Sequence, residues 1–377
     1  MMAHSTRKTQ TTRRSRWAAL GAMLLAAATA APGMALAADI PANVPAKQLF
    51  GTRTLPANLP AASHGFYSKG CLAGAEAVPV DGPNHQSMRL SRNRRWGHPK
   101  TVEVVDRLAK DVVKDGRNGL LVGDLSQPRG GPMLTGHASH QIGLDADIWL
   151  RDMPAERFTI EERESESAIS VLKKGTRTVD ERIWTDGHFN LIKRAASYPE
   201  VQRVLVHPGI KKKLCDTAGG DRSWLSKVRP YYGHHYHMHV RLRCQPGSTG
   251  CRAQKPVPAG DGCGKDLAWW LSDAPWKPAP KKTAKTKKVS PKLSSKPTVP
   301  KFKRISDLPN ACRGVLTAPA VGSEAEATFG GPKNAYATQT AKAWLARAAD
   351  ATAREVPLSD TGLPRVGPLP TTRPIEG

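Results

Sequence analysis

Apolar and polar residues recur along the chain with two periods, and each period marks out elements. In KTVEVVDRLAKDVVKD, Lys100 to Asp115, the residues Val102, Val105, Leu108 and Val112 fall at helical spacing and predict an amphipathic helix. The run NGLLVGDLS that follows predicts a strand. FNLIKRAASYPEVQRVLVHP, Phe189 to Pro208, predicts a helix, a break at Pro199 and Glu200, and a strand over RVLV that ends at His207. HMHVRLR, starting at His237, predicts another strand, on which His237 and His239 share one face because side chains two apart point the same way. Helices and strands alternate irregularly, and no glycine-rich phosphate loop supports a Rossmann or P-loop fold.

The pattern lapses at both ends of the chain. Arg7, Lys8, Arg13, Arg14 and Arg16 precede the apolar run WAALGAMLLAAATAA, and ALA at Ala35 to Ala37 fits a small-residue cleavage site. These features predict a cleaved export signal over 1–37, with Sec or Tat routing left open, and the run is too short and too interrupted for a membrane anchor. A folded domain is expected over 38–273. Residues 274–305 are rich in Lys, Pro, Ser and Thr with almost nothing apolar, so they are expected to form a disordered linker. A return segment over 306–316 carries Cys312, and a tail over 317–377 holds at most one helix, at AYATQTAKAWLARAADATAREV.

Charge changes this picture less than its total suggests. The 377 residues carry a formal charge of +25, which on its face points to nucleic acid. Ten lysines and one arginine with no acid lie between Lys277 and Arg304, and five more basic residues lie in the leader. Most of the excess therefore sits in appendages. Export and this confinement argue against nucleic acid, while the remaining basic body suits a polyanionic surface such as a cell envelope.

Export also governs how the six cysteines are read. Cys71, Cys215, Cys244, Cys251, Cys263 and Cys312 are scattered without a Cys-x-x-Cys spacing, which in an oxidising compartment points to disulfides rather than a thiolate metal site. Cys244 and Cys251 flank the turn-forming QPGSTG and form the one locally plausible pair; the remaining pairing stays open.

Four of the 12 histidines lie between His234 and His239. Upstream, LTGHASHQIGLDADIWL contributes His137, His140, Asp145 and Asp147. Two imidazoles and a carboxylate form a normal three-ligand set for catalytic zinc, whereas structural zinc usually has four protein ligands, often with Cys. His140, Asp147 and His239 are thus candidate ligands with His237 beside them. On a strand Asp145 shares the face of Asp147 and is a weaker second carboxylate candidate. His98 and His207, lone histidines, read as structural or surface residues rather than functional ones. Tyr231 and Tyr232 read equally well as cleft or as packing, and the lysine run as a solvated linker.

RLSRNRRWGHP (Arg89 to Pro99), SHQIGLDADI, GHHYHMHVRLRC (Gly233 to Cys244), DGCG (Asp261 to Gly264) and the order of the six cysteines together resemble the penicillin-insensitive murein endopeptidases. These belong to the lysostaphin, D-Ala-D-Ala carboxypeptidase and hedgehog metallopeptidase group, and the likeness spans roughly Phe50 to Arg313. The resemblance implies an α+β fold, with a small antiparallel sheet carrying the metal ligands, flanked by helices and loops and disulfide-bonded. It implies Zn2+ held by His140, Asp147 and His239, with His137 near the metal. His237 is then the general base or transition-state stabiliser, and His234 a second active-site histidine. Disulfides Cys71–Cys312, Cys215–Cys263 and Cys244–Cys251 follow from the same source. The implied activity is periplasmic hydrolysis of D-alanyl-meso-diaminopimelyl cross-links between the stem peptides of peptidoglycan. The alternatives are a non-catalytic metal-stabilised wall-binding module, or a carboxypeptidase of the same group. His235 and the long lysine-rich insertion depart from the pattern.

Overall fold

The computed structural model describes residues 40–277 and 302–331. The leader, the stretch from 278 to 301 and the helix expected in the tail lie outside these residues.

The strands Asp145–Trp149 and His237–Leu242 are the centre of the fold. They pair antiparallel, with Asp147 opposite His239, Asp145 opposite Arg241 and His237 opposite Trp149. Period-two alternation separates the two faces. Ala146, Ile148, Met238, Val240 and Leu242 enter the main core, while Asp145, Asp147, His237, His239 and Arg241 occupy the other face. The helix Pro99–Lys114 adds Val102, Val105, Leu108 and Val112 to that core, and the helix Asp186–Ser197 adds Leu191, Ile192 and Ala195. Both helices lie where periodicity predicts them.

Seven strands form the main sheet. Val228–Pro230 lies at one edge, then Val201–Val206, His237–Leu242, Asp145–Trp149, Leu120–Val122, His85–Ser87 and Asp81–Gly82. The sheet is antiparallel around these two central strands, and parallel where Val228–Pro230 meets Val201–Val206 and where His85–Ser87 meets Leu120–Val122. With its helices it makes the expected α+β fold.

A smaller core forms where the two ends of the body meet. Ala46 and Phe50 pack with Ile305, Leu308, Val315 and Leu316 around the Cys71–Cys312 disulfide. The buried Arg129 guanidinium donates to the carbonyls of Val315, Leu316 and Ala318 at 2.7–2.9 Å, satisfying orphan acceptors at the end of the helix Ala311–Thr317. Packing continues beyond that helix through β-bridges joining Ala57 to Ala320 and Ala77 to Thr328, and through an Arg95–Glu324 ion pair. Disulfides Cys215–Cys263 and Cys244–Cys251 complete the set, as the resemblance implied.

His98 and His207 are helix caps. Each precedes a proline in the first turn, and each ring accepts a backbone N–H, from Lys100 at 3.2 Å and from Gly209 at 3.0 Å. His188 caps its own helix through Thr185 N–H at 3.1 Å. Burial pushes both His188 and His207 down to about 4, aided by Arg117 beside the first and by His235 and Arg177 beside the second. In the unfolded chain both titrate near 6.5, so between about pH 6.5 and 4 the unfolded state binds more protons and stability falls as pH falls. Each group is expected to cost about 2 kcal/mol at pH 5 relative to pH 7. His207→Asn keeps a capping acceptor that does not titrate, so urea unfolding of this variant should depend less on pH; an unchanged pH slope would refute the assignment.

Candidate metal centre

Three elements bring the candidate ligands together. Asp147 and His239 come from the two central strands and face each other across the ladder. His140 arrives from the loop before Asp145–Trp149, in a left-handed conformation (φ 63°) unusual for a residue other than glycine. That conformation is held by its backbone N–H, which donates to Asp145 Oδ2 at 2.9 Å. Left-handed backbone at a non-glycine position stores strain, of the kind found where a side chain must be aimed.

Hydrogen bonds behind the rings set their tautomers. His140 Nδ1 lies 2.5 Å from the Leu125 carbonyl, which can only accept, so Nδ1 carries the proton and Nε2 turns a lone pair inward. His239 Nε2 lies 2.9 Å from Asp145 Oδ1 and donates to it, which leaves Nδ1 facing inward. His140 Nε2, His239 Nδ1 and Asp147 Oδ1 then form a triangle with sides of 3.2, 3.2 and 3.4 Å. Asp147 Oδ1 is buried without a hydrogen-bond partner. Three electron-rich atoms converging this closely repel unless a cation sits among them. Tetrahedral zinc, with ligand distances of about 2.0–2.1 Å, requires ligand-to-ligand edges of about 3.3–3.4 Å. The donor set fits a metal ion in chemistry and in spacing.

The electrostatics agree. Burial opposes ionisation of Asp147, yet His140, His237 and His137 hold its carboxyl well below the ordinary value. For His239 burial works against the charged form, but Asp145 and Asp147 outweigh it and raise its pKa. A proton and a metal ion compete for His239 Nδ1, so metal binding there is pH-dependent.

The other histidines differ in placement. His137 Nδ1 lies 3.6 Å from Asp147 Oδ2 and its Nε2 donates to Asp124 Oδ2 at 3.0 Å. His137, His140 and Asp147 offer ligand atoms within 4.8 Å of one another, so His137 borders the same centre from the second carboxylate oxygen. His237 Nε2 lies 3.7 Å from Asp147 Oδ1, and burial lowers its pKa to about 4 against the pull of that carboxylate. His234, also in a left-handed conformation (φ 53°), places its ring 4.9 Å from that of His237 at a tilt of 50°. Its Nδ1 donates to the Tyr232 carbonyl at 2.5 Å, leaving Nε2 as the free acceptor. His235 turns away to Ser170 Oγ at 2.8 Å and takes no part in the centre.

Asp145 supports the centre from behind, and Arg241, Asp124, Arg92 and Arg94, which spacing alone does not single out, join it. Asp145 is fully buried and receives His239, Arg241 Nε at 2.7 Å and the His140 backbone. Asp124, at the end of the predicted NGLLVGDLS strand, fixes His137 and is paired with Arg92 at 3.2 Å and Arg94 at 3.0 Å. An acid just past a strand end and the arginine-dense RLSRNRRW were the available signals.

An α+β fold that presents two imidazoles and a carboxylate at metal-ligand spacing, with neutral histidines alongside, is the frame of a hydrolase built on a candidate metal site. The chain belongs to the penicillin-insensitive murein endopeptidase family, whose sequence model matches residues 63–317. It is 46% identical over 227 residues to a penicillin-insensitive murein endopeptidase of Haemophilus influenzae, covering 60% of this chain and 78% of that protein. Proteins of the same description from Klebsiella pneumoniae subsp. pneumoniae and Escherichia coli K12 are 43% and 41% identical, each over 240 residues, 64% of this chain and 86% of theirs.

Proposed function

We propose that this protein is an exported, zinc-dependent endopeptidase that hydrolyses D-alanyl-meso-diaminopimelyl cross-links of peptidoglycan in the periplasm. The observation that carries the reading is the triangle of His140 Nε2, Asp147 Oδ1 and His239 Nδ1, with its orphaned carboxylate oxygen. The family and the names of its relatives support murein as the substrate. The leader over 1–37 supports export, and no helix among the described residues is long and apolar enough to cross a membrane.

His140, Asp147 and His239 would hold the ion, with His137 beside it. When bound, zinc polarises an amide carbonyl and makes water a competent nucleophile near neutral pH. His237, kept neutral by burial, takes up a proton at Nε2 and returns it to the departing amine. His234 accepts a hydrogen bond at Nε2, with its other nitrogen committed to Tyr232. All six cysteines are in disulfides, so no thiol serves as nucleophile. A hydrolysis that uses water rather than a serine as nucleophile forms no acyl-enzyme for a β-lactam to mimic, in keeping with the family's name.

The test is release of monomeric muropeptides from purified cross-linked sacculi. Dimers should fall and monomers rise with the wild type, cease with chelator, and resume with added zinc. Release of terminal D-alanine alone would favour the carboxypeptidase alternative. Zinc and sacculus binding without turnover would favour the wall-binding module.

A further inference from the structure

The centre has two chemically different flanks. On the His137 side stand Arg92 and Arg94, cationic and bound to Asp124. On the His234 side the lining is aromatic and runs outward to solvent. The His234 ring lies 5.8 Å from that of His239 and 5.6 Å from that of Tyr231. Tyr231 lies 6.2 Å from Trp270, and Trp270 lies 5.2 Å from Trp269. Among the described residues, Tyr231 and Trp269 are two of the few large apolar side chains left exposed, at 38% and 45%. From sequence Tyr231 reads equally well as cleft or as packing, and the proposed hydrolysis makes no use of Tyr231, Trp270 or Trp269.

The row is held rigidly. The helix Lys265–Leu271, which carries both tryptophans, follows directly on the Cys215–Cys263 disulfide. Just before it, buried Lys211 Nζ donates to the Asp261 carbonyl at 2.6 Å, and Arg222 pairs with the Asp261 carboxylate at 2.8 Å. The Tyr232 hydroxyl donates to the Pro275 carbonyl, and Trp276 Nε1 donates to the Trp270 carbonyl at 3.0 Å. Aromatic groups ordered before a ligand arrives lose little entropy on binding it. Charges near the row are already matched, Arg229 with Asp266 at 2.5 Å and Arg177 with Asp273 at 3.0 Å.

We propose that Tyr231, Trp270 and Trp269 form a shelf that binds the sugar rings of a glycan strand while the attached peptide enters the histidine centre. This rests on the murein reading. A pyranose ring offers a C–H face that stacks on an aromatic ring and hydroxyl edges that suit the polar tips of Tyr and Trp. A stem peptide bearing carboxylates matches the arginine flank instead, and an uncharged saccharide matches the shelf. Continuity from His239 to Trp269 places both parts of one substrate on one surface.

The experiment uses the zinc-loaded full protein and two probes. The first is glycan strands stripped of peptide by an amidase, which the enzyme cannot cleave; the second is a pair of cross-linked dimers with and without attached disaccharide. Wild type should be retained on stripped strands, and Trp269→Ala should weaken retention about tenfold or more, whereas Trp269→Phe should keep most of it. The kcat/KM ratio of sugar-bearing to sugar-free dimer should fall by a similar factor in Trp269→Ala, mainly through KM. Equal losses on both dimers, or retention of Trp269→Ala equal to wild type, would overturn the shelf. So would binding of phospholipid vesicles, in place of strands, that is lost with Trp269. If wild type cleaves neither dimer, the murein reading fails, and strand retention still decides the shelf on its own.

Discussion

His239→Ala is expected to cut muropeptide release from sacculi by at least about a thousandfold and to leave the purified protein without stoichiometric zinc. Removing this imidazole takes away the corner of the triangle that stands 3.2 Å from both His140 Nε2 and Asp147 Oδ1. Two corners of the triangle remain, and His137 borders the other Asp147 oxygen at 3.6 Å rather than the vacated corner, whereas an ion in a catalytic site normally takes three ligands from protein. The variant also frees the Asp145 oxygen that His239 had occupied, but Arg241 still pairs with that carboxylate, so the fold should survive by circular dichroism. His235→Ala is the matched control, because that ring sits in the same histidine cluster yet is bonded to Ser170. It should stay within about threefold of wild type, as a change outside the centre. A His239→Ala enzyme that keeps one zinc per chain and a tenth of its activity would remove His239 from the ligand set. Chelation of wild type should reproduce the His239→Ala defect, with the difference that zinc restores only the wild type.

How far the centre can be read from sequence depends on what each contact is made of. The helix Pro99–Lys114 and the strand His237–Leu242 were legible because burial imposes a period on side-chain type, and a period survives in a string of letters. His140, Asp147 and His239 were legible by spacing, and the structure brings all three into one triangle. The tautomer of His140 was not legible, since it is set by the Leu125 carbonyl, and a backbone group looks the same at every position. Two short strands at the sheet edge, Asp81–Gly82 and His85–Ser87, were equally hidden: two or three polar residues carry no period. The parallel pairing of Val228–Pro230 with Val201–Val206 depends on where the chain returns after the helix between them, which is a property of packing. His234 and His235 are neighbours with the same side chain, and only the left-handed backbone at His234 sends one ring to the centre and the other to Ser170. The row from Tyr231 to Trp269 is assembled from residues nearly forty positions apart through a disulfide, so composition alone could not choose between cleft and packing.

Asp145→Asn separates the support of the centre from its ligands, and its expected effects are large on two independent readouts. The carboxylate is fully buried and receives four donors from three residues: the His140 backbone at 2.9 Å, His239 Nε2 at 2.9 Å, and Arg241 Nε at 2.7 Å and Nη2 at 3.3 Å. Burial alone would favour the neutral acid, but Arg241 and His239 hold Asp145 far below the ordinary carboxylate range. An asparagine of the same shape can accept on one side only. Its amide N–H2 group must face either the Arg241 guanidinium or the His140 N–H, donor against donor, and the buried charge of Arg241 loses its counter-ion. Leaving such a charge unpaired costs about 3–5 kcal/mol, which urea unfolding of the metal-free protein would register. The second effect is on the metal. Without an ionised acceptor behind Nε2, the His239 ring loses both its fixed orientation and part of its basicity at Nδ1, and zinc affinity should fall about 10–100-fold in competition with a chelator. Because the Asp145 oxygens are taken up by His140, His239 and Arg241, excess zinc should restore much of the activity, whereas no zinc concentration should rescue His239→Ala. If Asp145→Asn binds zinc within about twofold of wild type, the carboxylate serves the fold alone; if it unfolds at the wild-type urea midpoint, Arg241 draws its compensation from elsewhere, and Gln254, 3.1 Å from its Nη1, is the group to change next.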